Sequence, residues 1–160
     1  MFLNHCAAFE YVKKLLVRKG YRIRMLHKLN KGRHLLIETV YGERYQYFYV
    51  IFKHTFLHSF NYLFKDFVEK YPNLEGHGET INIENLEYAR IREATLLFVY
   101  PDMKVYGIDS RYVYKFVHEH NLIRTQERRN EYKIEYANGQ VEVINEQTAS
   151  FPVKLLVRYD

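Results

Sequence analysis

A chain of 160 residues, 48% hydrophobic and 27% charged, is long enough for one domain with a core of its own and too short for two large ones. That balance excludes a disordered or collagen-like chain. The net charge of +5 is unevenly placed, because residues 1–34 hold nine Lys or Arg and one acid, leaving the rest of the chain at about −3.

Ala7, Ala8, Tyr11, Val12, Leu15 and Leu16 recur at helical spacing with Gly20 as a stop, so the pattern predicts a helix over 5–19. Cys6, the single cysteine, has no thiol partner within the chain and is expected to pack on that helix. Three strands follow, over 21–29, 34–41 and 44–53, turned by Asn30-Lys31-Gly32 and Gly42-Glu43 into a meander. The third, RYQYFYVIFK, is almost continuously apolar and is expected to be central. Thr55 then reads as the N-cap of a long amphipathic helix carrying Phe56, Phe60, Leu63, Phe64, Phe67 and Val68 and ending near Tyr71-Pro72.

Residues 73–82 are punctuated by glycine and read as a turn, and a third helix is expected near 84–93. Strands over 95–100 and 104–108 precede a helix that Asp109 or Ser110 caps and that runs to about His120. His118 and His120 are expected to face solvent at its end. A polar connection carrying Arg124, Arg128 and Arg129 leads to a hairpin, 132–137 and 140–144, around Asn138-Gly139, and then to a tail over 151–158. The economical architecture is one α+β domain over 1–160, a mixed sheet of a three-strand meander plus further strands packed by amphipathic helices.

The first 14 residues place their charges after a short apolar patch, the reverse of a secretion signal, and no apolar run approaches membrane-spanning length. An intracellular protein that avoids membranes is expected. Lys13, Lys14, Arg18, Lys19, Arg22, Arg24, Lys28, Lys31 and Arg33 form a density suited to phosphates, with a solvated helix face as the alternative. Arg124, Arg128 and Arg129 are a second set able to follow a nucleic-acid backbone. The 16 Tyr and 11 Phe serve equally as core pieces and as stacking platforms for bases. High aromatic and charged content beside one Cys hints at a thermophilic source.

Metal-assisted phosphodiester cleavage needs acidic oxygen ligands, often a lysine, and a positive surface. Glu10 on the first helix, Glu38 on the second strand, Lys53 at the end of the third, and Glu79, Glu84 and Glu87 supply those parts in order. Glu79 follows Gly76-His77-Gly78 and stands out, although a carboxylate there also serves to solvate a turn or cap the next helix. Glu84 and Glu87 share a helical face, and His54 and His58, four apart, are spaced to flank one ligand site. No phosphate loop, dinucleotide fingerprint or nucleophile elbow is present, which removes those enzyme classes.

The order helix, three-strand meander, helix, strand over 5–100 resembles the common core of PD-(D/E)XK nucleases, with 101–160 as an extension. The resemblance implies that Glu10 matches the helix acid, Glu38 the second-strand acid and Lys53 the motif lysine, while Ile51 stands where the family places Asp or Glu. The chain also resembles small tyrosine-rich nucleases encoded by filamentous viruses of hyperthermophilic archaea, which depart from that motif and rely on a glutamate. This implies a metal-dependent deoxyribonuclease in a host cytoplasm, using magnesium or in its place manganese. The resemblance does not choose among Glu79, Glu84 and Glu87; the glycine setting favours Glu79, with Glu87 second, so the candidate catalytic set is Glu79, Glu87 and Lys53, with Glu79 and Glu38 at the metal. DNA is the expected partner and a homodimer is compatible with the sequence. The rival expectation is a non-catalytic DNA-binding regulator or architectural protein, with a protein-interaction module third.

Overall fold

The computed structural model describes residues 4–127, 133–135, 137–139, 141–143 and 145–160. Helix α1, His5–Arg18, is capped by Asn4, which accepts from the Ala7 N–H at 2.8 Å, and it buries Ala8, Phe9, Val12, Leu15 and Leu16. It stops where Gly20 takes a φ of +97° while the Gly20 and Tyr21 N–H groups return to the carbonyls of Val17 and Leu16. Cys6 is exposed rather than packed, because the buried stripe of the helix begins only at Ala8. Strands β1 (Arg22–Leu29), β2 (His34–Tyr41) and β3 (Arg44–Phe52) form the expected antiparallel meander.

The next expectation is corrected. The long helix over 56–71 is two short ones, α2 (Phe60–Leu63) and α3 (Lys65–Lys70), broken at Phe64. Thr55 caps neither of them. The chain ahead of α2 is committed to a bridge in which Leu57 and Gly78 exchange backbone hydrogen bonds of 2.7 and 2.9 Å, and the Thr55 hydroxyl turns to His58. The glycine-punctuated turn is also corrected, since Gly78–Asn82 is strand β4. Asn82 then caps helix α4, Ile83–Ile91, by accepting from the N–H groups of Glu84 and Asn85.

Strands β5 (Thr95–Val99) and β6 (Val105–Asp109) and helix α5 (Ser110–Glu119), with Asp109 as its cap, lie close to their expected positions. His118 is exposed as expected, but His120 is half-buried with its ring against Phe116 and Phe67 at 4.6 and 5.3 Å. The polar connection is strand β7, Ile123–Glu127, and the hairpin is β8 (Lys133–Glu135) with β9 (Val141–Val143). Strand β10, Asn145–Pro152, a 3-10 turn and β11, Val157–Arg158, take the place of a plain tail.

The main sheet runs β1-β2-β3-β5-β6-β11, with β3 and β5 parallel and every other pair antiparallel. A second antiparallel sheet runs β4-β10-β7, giving an α+β protein. Alternation along the central strands divides the core in two. Leu35, Ile37, Phe48, Val50, Leu97 and Val99 face α1. Leu36, Tyr49, Ile51, Leu96 and Phe98 face α2 to α5 and the second sheet, meeting Phe60, Leu86, Phe116 and Phe151. No helix among the described residues is long and apolar enough to cross a membrane.

Candidate functional site

Because β3 and β5 are parallel, their carboxyl ends open at one edge of the sheet, the position from which α/β scaffolds present functional groups. Lys53 and Tyr100 are the first residues past those two ends, and the Lys53 N–H carries the ladder one step further to Val99 O at 2.8 Å. Glu79 reaches the same place from β4. Its Oε1 lies 3.2 Å from Lys53 Nζ and accepts from the Thr80 N–H at 2.9 Å, while its Oε2 accepts from the Tyr100 hydroxyl. Lys53 also donates to Thr80 Oγ1 at 3.2 Å. Burial, and then the Glu79 charge, pushes the Tyr100 phenol far above its ordinary range, so it stays a donor.

Burial is unequal within this group. Glu79 is 1% exposed and Lys53 23% exposed, so the cation faces outward and the carboxylate stands behind it. In front of them lies an open cavity of about 370 Å3, lined by Phe52, Lys53, His54, Thr55, Phe56, Leu57 and Thr80. The arrangement offers a fixed positive group to an anion, backed by a counter-charge whose two oxygens accept from Thr80 and Tyr100. Beside it, His34 Nδ1 lies 2.7 Å from both Asn30 Nδ2 and the Tyr49 hydroxyl. A nitrogen between two donors keeps its lone pair, and burial together with the Lys53 charge lowers His34 to about 4. Burial also raises the Tyr49 phenol, which keeps its proton for that bond.

The other candidate acids are not brought to this group. Glu38 is paired with His27 at 3.3 Å, and the β2-β3 register puts it six positions along the ladder from Lys53, about 20 Å away. Glu87 sits on α4 against Arg90, whose hydrogen bonds hold it below the usual carboxylate range, and its other neighbours, Tyr114 and His118, belong to α5. Glu84 is exposed in the first turn of α4, and Glu10 pairs with Lys13 on the outside of α1.

Among the described residues no three His, Cys, Asp or Glu side chains come together as a metal group. Magnesium takes several oxygen ligands, and Glu79 offers two oxygens already engaged by Lys53, Thr80 and Tyr100. The residues at this site do not fit that ion.

The basic residues do assemble. Lys13, Lys14 and Arg18 on α1 line a groove of about 640 Å3 against β1, with Val17, Ile23 and Leu26 between them. Arg22 and Arg24 are exposed on β1, which is an edge strand, and Lys19 lies over the Tyr159 ring. The Arg24 guanidinium is 4.9 Å from the centre of the Tyr45 ring, which is 64% exposed. Lys13 is the one cation of the nine with a carboxylate at ion-pair distance among the described residues. Arg128 and Arg129 lie outside the described residues, and Arg124 is half-buried on β7.

Sequence reasoning missed Tyr100 and Thr80, which lie at the end of an expected strand and in an expected turn until the fold places them on Glu79. It also missed the partner of His58, which is His77 rather than His54. The apolar floor of the basic groove was hidden because Val17 lies off the buried stripe of α1 and is 58% exposed. Compared with known family models, curated proteins and solved structures, the chain matches none.

Proposed function

We propose that this chain binds duplex DNA through phosphate contacts along the α1–β1 edge and does not itself hydrolyse it. The observation that carries the reading is the row of exposed cations Lys14, Arg18, Arg22 and Arg24 on two adjacent elements, none with a described carboxylate partner, beside the half-buried Lys13 paired with Glu10. Unpaired Lys and Arg on one face raise the local potential and release counterions when phosphates replace them. Arg22 and Arg24 on an edge strand and Lys14 and Arg18 on the helix beside it can follow one strand of a duplex. Tyr45 under Arg24 adds a flat surface at the end of the row.

A second reading, the metal-dependent nuclease, has its own support in the 3.2 Å pairing of Lys53 with Glu79 beside an open cavity. Linear duplex DNA incubated with the protein and either magnesium or manganese distinguishes the two. The binding reading expects retarded DNA of unchanged length. Shortened products that vanish in Lys53→Met would instead support the nuclease, and an absence of retardation at low salt would remove both.

A further inference from the structure

A pair of histidines lies outside the Lys53 group and outside the basic edge. Leu57 and Gly78 exchange both of their backbone hydrogen bonds, so the next residues on each side, His58 and His77, lie directly opposite one another. In an antiparallel ladder that adjacent position is the one where facing side chains come closest. Here His58 Nδ1 is 3.2 Å from His77 Nε2, with ring centres 4.3 Å apart and planes at 81°. Two nitrogens at about 2.0–2.1 Å from one tetrahedral ion are themselves roughly 3.3 Å apart. The observed spacing matches that value as well as that of the hydrogen bond now joining the rings, which an ion held by both nitrogens would replace once His77 carries its proton on Nδ1.

The surroundings favour ligation further. His58 Nε2 is 3.0 Å from Thr55 Oγ1, and donation to that hydroxyl leaves the lone pair on Nδ1, where it accepts from His77 Nε2 and where a metal would take its place, as an outer partner orients a histidine metal ligand. The backbone is pinned on the other side, where the His77 carbonyl accepts from the Val153 N–H at 3.0 Å. Gly78 keeps the bridge in place because a Cβ there would meet Phe60 at 2.5 Å. The His77 ring also packs against Phe56, 6.0 Å between centres. Among the described residues the donor set is two imidazoles with no thiolate or carboxylate grouped with them, which suits a borderline transition metal and not a hard cation.

We propose that His58 and His77 form a two-histidine, cross-strand site for a divalent transition metal of the zinc and copper class, with the remaining coordination positions open to water. The site is independent of whether the chain binds DNA. The full-length protein titrated with Zn2+ by calorimetry, and with Cu2+ by electron paramagnetic resonance, tests it. One ion per chain is expected, with a Cu2+ spectrum showing two imidazole nitrogens. His58→Ala and His77→Ala are each expected to weaken binding by about tenfold or more, Thr55→Val by less, and His54→Ala and His5→Ala not at all. Both ligand residues are exposed, so circular dichroism and the melting temperature should be unchanged in those variants. Binding that survives the loss of His58 and His77, binding that depends on His54, or no saturable binding overturns the proposal.

Discussion

Glu79 is built into the protein at both oxygens, which sets what its removal does. It is 1% exposed, pairs with the Lys53 ammonium, and accepts from the Thr80 N–H and the Tyr100 hydroxyl, so an alanine leaves a cation without its counter-charge and a buried phenol without its acceptor. Glu79→Ala should cost about 3 kcal/mol in urea unfolding, and Glu79→Gln, which keeps an acceptor, should cost less. Equal stability of Glu79→Ala and the parent chain would contradict the described bonding. His34 makes a second residue-scale prediction. Its folded value of about 4 lies below the ordinary 6.5, so the unfolded chain binds more protons between those limits. The stability it contributes is whole above about pH 6.5 and is lost as pH falls toward 4, a change of at most about 3 kcal/mol. His34→Gln retains an acceptor for Asn30 and Tyr49, and should flatten the pH dependence of urea unfolding across that window. An unaltered slope would show that His34 is not buried neutral.

At the scale of elements, the strands that alternate or run apolar against one layer are those their own residues announce. Val50 is fully buried in β3 between β2 and β5, so Val50→Asp should prevent cooperative folding, seen as loss of a sharp thermal transition. The meander and α1 were legible for the same reason, since each carries a stripe or run that only one packing satisfies. The second sheet was not legible. Its strands read GETIN, IRTQE and NEQTASFP, short and polar, and they form because β10 pairs with β4 on one side and β7 on the other, far apart in the chain. Gly78 looked like turn punctuation but is a strand residue kept small by the Phe60 ring. Gly78→Ala should therefore destabilise by about 1–3 kcal/mol in thermal or urea unfolding, and Phe60→Leu in the same chain should recover part of it. A neutral Gly78→Ala would mean that Phe60 does not pack there. Of the candidate site, Lys53 and Glu79 were visible as residue types, yet their contact depends on a β4 that no local pattern revealed.

For the whole molecule, the division of charge read from the chain becomes a division of surface. The basic residues gather on α1 and edge strand β1, while Glu38 on β2 faces His27 of β1 and Glu87 pairs with Arg90 on α4. The groove between α1 and β1 adds an apolar floor to that rim, which lets bound DNA keep the lysine and arginine stems packed while their heads reach phosphates. The most direct test of the DNA-binding account is the salt dependence of duplex affinity for the parent chain and for a variant carrying Lys14→Glu, Arg18→Glu, Arg22→Glu and Arg24→Glu. Each lost phosphate contact removes about 0.9 from the slope of log affinity against log salt, so up to about 3.6 should disappear in the variant. A slope that is the same in both proteins would contradict the α1–β1 edge as the phosphate-binding surface.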